Sequence, residues 1–246
     1  MTVYGINAVR EALAAGRVER LQIGTRADAR LQGLVEDAVR RGVRVERVDP
    51  AVLDRAARGG VHQGVVASVA ARESWSPGDL AARAAGTPLI VVLDGVEDPH
   101  NLGAVLRTCD AAGVDGVVRQ TRRAAPLDGA AAKASAGAVA HVRVADVVNI
   151  ARALEELKAA GVWVVGLAGD GPRRYDEVDY SVPTALVLGA EGAGMRRLVR
   201  ERCDWVVRIP MAGRVESLNV SVAAGVVLFE AVRQRRLAAR RRGDDA

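Results

Sequence analysis

The sequence predicts an α/β protein with two domains of unequal size. Short strands alternate with helical stretches in residues 1–71, as expected of a compact α/β fold. The alternation resumes at residue 89 with longer elements, and the apolar runs 89–93, 162–168 and 185–189 contain no charged residue. Continuous apolar strands are buried on both faces, which is typical of a parallel sheet covered by helices.

The elements of the first domain follow from apolar periodicity and from glycines that end helices, such as Gly16 and Gly42. Val alternates with Arg or Glu in the middle strand, so we expect that strand to have one exposed face. In chain order, the expected elements are a helix at 7–15, a strand at 21–24, a helix at 27–41, a strand at 43–48, a helix at 50–57 and a strand at 64–70.

A linker and then the larger domain follow. Residues 72–88 are rich in Ser, Pro and Gly and predict the linker, with a helix-forming stretch at 79–85. Ser217 is expected to cap a last helix that is apolar enough to be buried almost all round. Besides its buried strands, the domain at 89–246 has expected helices at 101–112, 129–139, 147–160 and 217–236 and a final strand at 205–210.

Composition bears on the class of protein and its location. The chain of 246 residues is 50% hydrophobic and 26% charged, which is ordinary for a globular protein. Its start lacks a secretory pattern and no stretch is long and apolar enough to span a bilayer, so we expect a cytoplasmic protein without a membrane partner. Cys109 and Cys203 have no neighbouring Cys or His, so we expect reduced thiols inside helices and no metal site.

The formal net charge of +5 is concentrated at the C-terminus. Residues 233–246 contain six Arg and two Asp, so the rest of the chain is nearly neutral. This tail is either a contact for RNA phosphates or the solvated end of a helix. Aromatic residues make up only 3% of the chain, which argues against RNA recognition by stacking on aromatic side chains.

The first of three segments that follow expected strands is 94–113. Open α/β sheets bind ligands at the carboxyl ends of their strands, so this segment lies where a site is expected. It carries Asn101 and Arg107 on a helix. Taken alone, Arg107 is better explained as the surface partner of Asp110 or Asp94.

The second segment, 188–195, has three glycines after a strand. Glycine lets the backbone approach a ligand closely. The spacing fits neither GxGxxG nor a P-loop, which argues against a nicotinamide-dependent dehydrogenase. Glu191 would repel a pyrophosphate and suits a cationic cofactor without phosphate. Taken alone, a tight turn explains the glycines at least as well.

The third segment, 209–232, joins the end of a strand to the start of the long helix. Ser217, Asn219 and Ser221 are small polar residues that lie among the apolar residues Leu218, Val220, Val222, Val226 and Val227. Buried polar groups need a partner or a ligand. Capping of the helix and bonding to the backbone are the alternative explanation.

Together the three segments resemble, in order, the motifs of the SpoU/TrmH class of RNA 2′-O-ribose methyltransferases, in the SPOUT superfamily. The resemblance rests on 101–108, 189–192 and 209–221, and the sequence KASAGA at 133–138 matches a further family feature. The sequences YGINAV near the N-terminus and HQG at 62–64 are similar to the N-terminal domain of the branch that modifies a guanosine of 23S ribosomal RNA.

The resemblance implies a fold, a set of partners and a division of the chain. The first domain would resemble ribosomal protein L30e and bind RNA, and the second would be a Rossmann-like parallel sheet with a C-terminal trefoil knot. Members of the class are homodimers without a metal, and the apolar C-terminal helix at 217–232 is either a candidate interface or a buried core helix. The implied units are a substrate-binding domain at 1–71, a linker at 72–88 and a knotted methyltransferase domain with a basic tail at 89–246.

The resemblance also implies a site. The S-adenosylmethionine cofactor would be bound, largely through backbone groups, by Gly189, Ile209, Met211 and Leu218. The catalytic set would comprise Arg107, Asn101, Glu191, Ser217 and Asn219. The family assigns activation of the ribose hydroxyl to Arg107. Because a free guanidinium has a pKa of about 12.5 or higher, a role as base and a role as electrostatic stabiliser both stay open.

The implied reaction is methyl transfer from S-adenosylmethionine to the ribose 2′-hydroxyl of a guanosine in 23S ribosomal RNA. One alternative is an enzyme of the same fold that acts on tRNA or on another rRNA ribose. Another is a non-catalytic RNA-binding factor in ribosome assembly, against which the intact motifs argue.

Overall fold

The computed structural model of the protein describes residues 2–25, 29–70, 73–122, 124–127 and 129–243. These residues group into two compact units, neither of which is a continuous stretch of chain. Within the described ranges, the first unit comprises residues up to Glu73, Pro99–Arg107 and Ala125–His141. The second comprises Ser74–Asp98, Thr108–Ala124 and the chain from Val142 onward.

The first stretch of the chain forms a small mixed sheet with helices. Its elements are β1 (Thr2–Tyr4), α1 (Ile6–Ala14), β2 (Val18–Gly24), α2 (Ala29–Arg40), β3 (Arg44–Val48), α3 (Pro50–Ala57) and β4 (Val65–Val69). The strands pair in the order β1-β4-β2-β3. Strands β2 and β3 are parallel, and β4 is antiparallel to both β1 and β2.

The alternation of strands and helices expected for this stretch is confirmed. Helix α3 has the expected bounds because Asp49 caps it, accepting the Ala51 N–H at 2.9 Å, and Pro50 occupies its first turn. Strand β1 is too short to produce a periodic pattern and was not expected. The expected start of the second helix, at residue 27, lies outside the described residues.

Two later helices also contribute to the first unit. Helix α5 (Pro99–Ala111) contributes its residues up to Arg107, and α6 (Gly129–Ala134) belongs to it whole. The prediction of a single helix at 129–139 is wrong. The helix does not continue beyond α6. Gly137 adopts a φ of 100°, and a Cβ atom at this position would lie 2.1 Å from Glu11 Cγ. Only a short 3₁₀ turn follows, at Ala138–Ala140.

The second unit is built on a parallel sheet. Its remaining elements are α4 (Pro77–Ala82), β5 (Leu89–Asp94), β6 (Gly116–Gln120), β7 (Val144–Val147), α7 (Ile150–Ala159), β8 (Trp163–Leu167), β9 (Arg173–Arg174), β10 (Thr184–Gly189), α8 (Arg197–Glu201), β11 (Trp205–Arg208) and α9 (Val220–Arg242). Among the described residues the sheet has the order β7-β6-β5-β10-β8-β11-β9, and the neighbouring strands are parallel.

The continuous apolar runs form the adjacent central strands β5, β10 and β8, as expected, but β8 is not buried along its whole length, since Trp163 is 49% exposed. Every residue of β5 is buried, and β10 is buried up to its last residue. Helix α7 covers one face with an apolar stripe that packs into the same core as the strands. The residues of that stripe are Ile150, Ala153, Leu154 and Leu157.

Local capping explains where several boundaries differ from those expected. Helix α4 occupies the centre of the expected linker, because Ser76 and Asp79 form a reciprocal capping box at its start. Helix α7 begins at Ile150 rather than at 147, because the Asn149 side chain accepts the Arg152 N–H at 3.2 Å.

The last helix differs most from the expectation. It begins at Val220, so the prediction that Ser217 caps it is wrong. It is also not buried all round, since Val222 is 53% and Phe229 is 50% exposed. Part of the basic tail is used internally: the half-buried Arg235 donates hydrogen bonds to backbone carbonyls, those of Tyr180, Thr87, Pro88 and Val182. In the described part of the chain, no helix is long and apolar enough to cross a membrane.

Candidate active site

A cleft of about 390 Å³ opens at the carboxyl ends of β8, β10 and β11 in the second unit. This volume is within the usual range for small-molecule sites, and the position is where open parallel sheets bind ligands. Three stretches of chain and one turn of α9 form the lining. The lining residues are Leu167, Ala168, Gly169, Leu188, Gly189, Ala190, Glu191, Gly192, Gly194, Ile209, Met211, Glu216, Ser217, Leu218, Asn219, Val220 and Ala223.

The loop after β10 forms one wall of the cleft, and its glycines have a steric reason. A Cβ atom on Gly189 would lie 2.2 Å from the backbone carbon of Gly194, so only glycine fits at position 189. The loop closes on itself through paired backbone bonds, from Ala190 N–H to Gly194 O at 3.1 Å and from Gly194 N–H to Ala190 O at 2.8 Å. Gly192, at φ 77°, makes the turn between them. We call residues 189–195 the glycine loop.

Another part of the lining is the segment that leads into α9. Asn219 is the N-cap of this helix: its Oδ1 accepts the Ser221 N–H at 2.9 Å and the Ser221 hydroxyl at 2.6 Å. Ser217 and Leu218 precede the helix, lie outside any helix or strand, and line the cleft. The polar residues of this segment therefore divide between capping and the cleft, which combines the two explanations offered by the sequence.

The charged residues that line the cleft are all acidic. Glu191 and Glu216 are acidic and exposed, and the described lining contains no Lys, Arg or His. Carboxylates attract a cation and repel phosphate. The many backbone groups of the glycine loop add neutral donors and acceptors. The cleft thus favours a ligand that carries positive charge and no phosphate.

Most of the expected site residues meet in this one cleft. Those that line it are Gly189, Glu191, Ile209, Met211, Ser217, Leu218 and Asn219. Asn101 and Arg107 are not among the lining residues. They lie on the part of α5 that groups with the first unit, where Asn101 is half-buried and Arg107 is exposed. Asp94, one of the surface partners considered for Arg107, is instead engaged by Arg196.

Residues 88–229 match the SpoU rRNA methylase family, and residues 2–75 match the substrate-binding domain of RNA 2′-O ribose methyltransferases. The chain belongs to the SpoU rRNA methylase family. The segments 189–192 and 209–221, which carry the resemblance to this family, both contribute to the lining of the cleft.

Relatives within the SpoU family extend over nearly the whole chain. The 23S rRNA (guanosine-2′-O-)-methyltransferase RlmB of Pseudomonas aeruginosa is 48% identical, covering 95% of this chain and 96% of the relative. The enzyme of the same name from Yersinia pestis is 46% identical, with coverage of 96% and 98%. The SpoU methyltransferase AviRb of Streptomyces viridochromogenes, solved in complex with AdoMet, superposes with a TM-score of 0.79 at 28% identity, with coverage of 96% and 91%.

Sequence reasoning missed part of the lining. Leu167 ends β8, Ala168 and Gly169 follow it, and Glu216 directly precedes Ser217. The signal for the first group was present, because residues 162–168 were expected to form a buried strand, and ligands bind at the carboxyl ends of such strands. The run lacks a polar side chain, however, so nothing in it indicated chemistry.

The two cysteines take no part in the cleft. Cys109 is buried in α5, where burial raises the pKa of its thiol. Cys203 lies between α8 and β11, so its expected place inside a helix is wrong. Burial raises the pKa of the Cys203 thiol to about 12. Thiols held in their neutral form are poor nucleophiles.

Proposed function

We propose that this chain transfers a methyl group from S-adenosylmethionine to the ribose 2′-hydroxyl of a guanosine in 23S ribosomal RNA. The observation that carries the proposal is the near-complete match to the RlmB methyltransferases, at 48% identity over 95% of the chain for the Pseudomonas aeruginosa enzyme. Family membership and the geometry of the cleft support the same chemistry.

The cleft fits S-adenosylmethionine in charge and in the kind of groups it offers. The cofactor supplies an electrophilic methyl group on a cationic sulfonium and carries no phosphate. Glu191 and Glu216 give the cleft a negative charge that attracts such a cation. Gly189, Ile209, Met211 and Leu218 would hold the cofactor, with the backbone of the glycine loop as the principal source of hydrogen bonds.

On the RNA side, the attacking hydroxyl must lose its proton as the new bond forms. We assign to Arg107 the stabilisation of negative charge on the ribose oxygen or on a neighbouring phosphate, because a guanidinium stays protonated at neutral pH. Asn101, Glu191, Ser217 and Asn219 would orient the ribose and Arg107. The N-terminal region, which matches a substrate-binding domain at 2–75, would bind the RNA.

The homodimer and the trefoil knot implied by the family stay predictions. The exposed apolar residues of α9 support a dimer, since Val222, Phe229 and Leu237 are 53%, 50% and 40% exposed in the single chain. Large apolar side chains on one helix are typical of a protein–protein contact. A protein that modifies ribosomal RNA is expected in the cytoplasm, where we place it.

The deciding experiment maps the modified nucleotide. Cells that lack the protein should lose one 2′-O-methyl group from a guanosine of 23S rRNA, detected by mass spectrometry of RNA fragments. The gene supplied in trans should restore it. Loss of a methyl group from tRNA alone would show that the chemistry is right and the substrate wrong.

A further inference from the structure

A buried charge lies beside the cleft without lining it. Asp94 is the last residue of β5 and stands opposite Gly189 of β10 in the register of the sheet. Its side chain is 0% exposed. A carboxylate removed from water is strongly destabilising unless cationic or hydrogen-bonding groups surround it.

Arg196 provides both the positive charge and hydrogen bonds to the Asp94 carboxylate. Its backbone N–H donates to Asp94 Oδ2 at 2.8 Å and its Nε donates to Oδ1 at 2.7 Å. Its Nη2 lies 2.5 Å from Oδ1 and also donates to Gln120 Oε1, at the end of β6, at 2.8 Å. One arginine is thus bonded to the carboxyl ends of two central strands by charge-assisted bonds, which are the stronger kind.

Arg196 is also the residue that follows the glycine loop. The loop ends at Met195, and Arg196 is the N-cap of α8. The bonds between Arg196 and Asp94 therefore fix the outgoing end of the loop, while β10 fixes its incoming end at Gly189. With both ends held to the sheet, the paired bonds between Ala190 and Gly194 are kept in place as a wall of the cleft.

We propose that Arg196, held by the buried Asp94 and by Gln120, is a positioning residue that keeps the glycine loop in the conformation competent to bind the cofactor. The inference rests on the proposal that S-adenosylmethionine occupies the cleft. Apparent affinity falls with the fraction of protein in the competent state, so a loop that is correctly placed a tenth of the time raises the Kd about tenfold. Lysine keeps the charge at this position but lacks the planar fork that makes the paired bonds.

Two measurements test the proposal: the Kd of S-adenosylmethionine by calorimetry, and amide hydrogen exchange of residues 189–196 in the cofactor-free protein. Arg196→Lys is expected to speed exchange in the glycine loop and to raise the Kd about tenfold. At saturating cofactor, its kcat should stay within about twofold of the unmodified protein, because the loss is in ground-state binding. Asp94→Asn should shift exchange and Kd in the same direction.

Arg197→Lys is the matched control. Arg197 is the next residue along, its side chain is 77% exposed, and it pairs with Glu201 within α8. This variant should leave the loop exchange and the Kd unchanged. Ala223→Leu, which fills the cleft from α9, separates the inference from the proposed function. If Ala223→Leu leaves the Kd unaltered, the cofactor does not occupy the cleft and the proposed site is wrong.

The positioning role is overturned if Ala223→Leu weakens binding while folded Arg196→Lys binds the cofactor as tightly as the unmodified protein. This holds whether or not exchange in the glycine loop changes, since a loosened loop that binds normally is not positioned by Arg196. Should Arg196→Lys fail to fold, Asp94→Asn decides by the same two measurements.

Discussion

Arg107 is the residue on which the proposed chemistry depends most. It is solvent-exposed on α5. We expect Arg107→Ala to lower kcat by about 10²–10³-fold, the usual cost of removing a group that stabilises transition-state charge. The measurement is the incorporation of labelled methyl groups into rRNA. Because Arg107 is not among the residues of the cleft lining, the Kd of S-adenosylmethionine should not change.

Two further variants are needed to interpret the loss of activity in Arg107→Ala. Arg107→Lys should recover part of the activity if the role is electrostatic, since an ammonium also carries a positive charge. Arg152→Ala removes an exposed arginine of α7 and should leave methyl incorporation unchanged. Full activity in Arg107→Ala would exclude this residue from catalysis.

Tyr180 makes a prediction about pH. Its side chain is buried, and among the described residues its hydroxyl has no hydrogen-bond partner. Burial, and secondarily the charge of Glu230, raise the pKa of this phenol above its ordinary value. A raised pKa in the folded state favours the neutral phenol. The contribution of this preference to the free energy of unfolding is therefore fully present below a pH of about 10. It is lost as the pH rises from there toward the pKa of the phenol in the folded state.

Tyr180→Phe should remove this dependence. It deletes an unsatisfied buried hydroxyl, so the free energy of unfolding near neutral pH should stay the same or rise by about 1 kcal/mol. Above pH of about 10 the variant should lose less stability than the unmodified protein. Urea unfolding at neutral and alkaline pH measures both effects. Equal losses in the two proteins would contradict the assignment of a perturbed phenol.

At the scale of the element, the start of α9 serves both the fold and the cleft. Asn219 caps the helix and lines the cleft, whereas Asn149 caps α7 and does not line it. Replacing either residue with Ala should lower the free energy of unfolding by about 1 kcal/mol, the typical value of an N-cap. Only Asn219→Ala should also weaken S-adenosylmethionine binding. If Asn149→Ala lost as much affinity as Asn219→Ala, the cause would be the lower stability of the fold and not the loss of a contact between Asn219 and the cofactor.

The boundaries of elements could be predicted where one local signal dominates. The short, β-branched run LIVVL favours a buried strand, and β5 lies where it was expected. At the start of α9, Ser217, Asn219 and Ser221 are all able to cap a helix. Local pattern does not choose among them, and the structure selects the second. The same pattern overstated the burial of α9, because it does not say whether an apolar face is covered by its own chain.

Like the boundaries of the elements, the site could be predicted only where a local segment carries the signal. The polar and glycine-rich segments after β10 and β11 were recognisable, and parallel strands bring their ends together. The pair formed by Asp94 and Arg196 was not recognised, because its members are 102 residues apart in sequence. Contacts of that range depend on which strands become neighbours, and the order β5-β10-β8 is a property of the folded sheet.

At the scale of the whole molecule, we predict that RNA binding and cofactor binding can be separated. All residues that line the cleft belong to the second unit. A chain that lacks residues 1–71 should bind S-adenosylmethionine with nearly unchanged Kd and should bind rRNA at least about tenfold more weakly, as loss of several phosphate contacts implies. Calorimetry and filter binding provide the two numbers.

The truncation also has a cost in stability that must be measured alongside. Within the first unit, Lys133 donates to the Val61 carbonyl at 3.3 Å, and His141 lies 3.2 Å from Glu11. Both contacts disappear with the N-terminal stretch, so the melting temperature should fall. Loss of cofactor affinity in a truncated protein that is demonstrably folded would contradict the separation.

The composition of the cleft has a consequence for synthesis of the protein. Its walls come from 167–169, 188–194 and 209–223, so a nascent chain has no complete site until the first turn of α9 has left the ribosome. A ligand that bridges these late segments binds only the finished fold. At a hundred times its Kd, such a ligand adds about 2.7 kcal/mol to stability. The methyl donor is therefore expected to act as a folding ligand, and cells depleted of it should contain less of this protein.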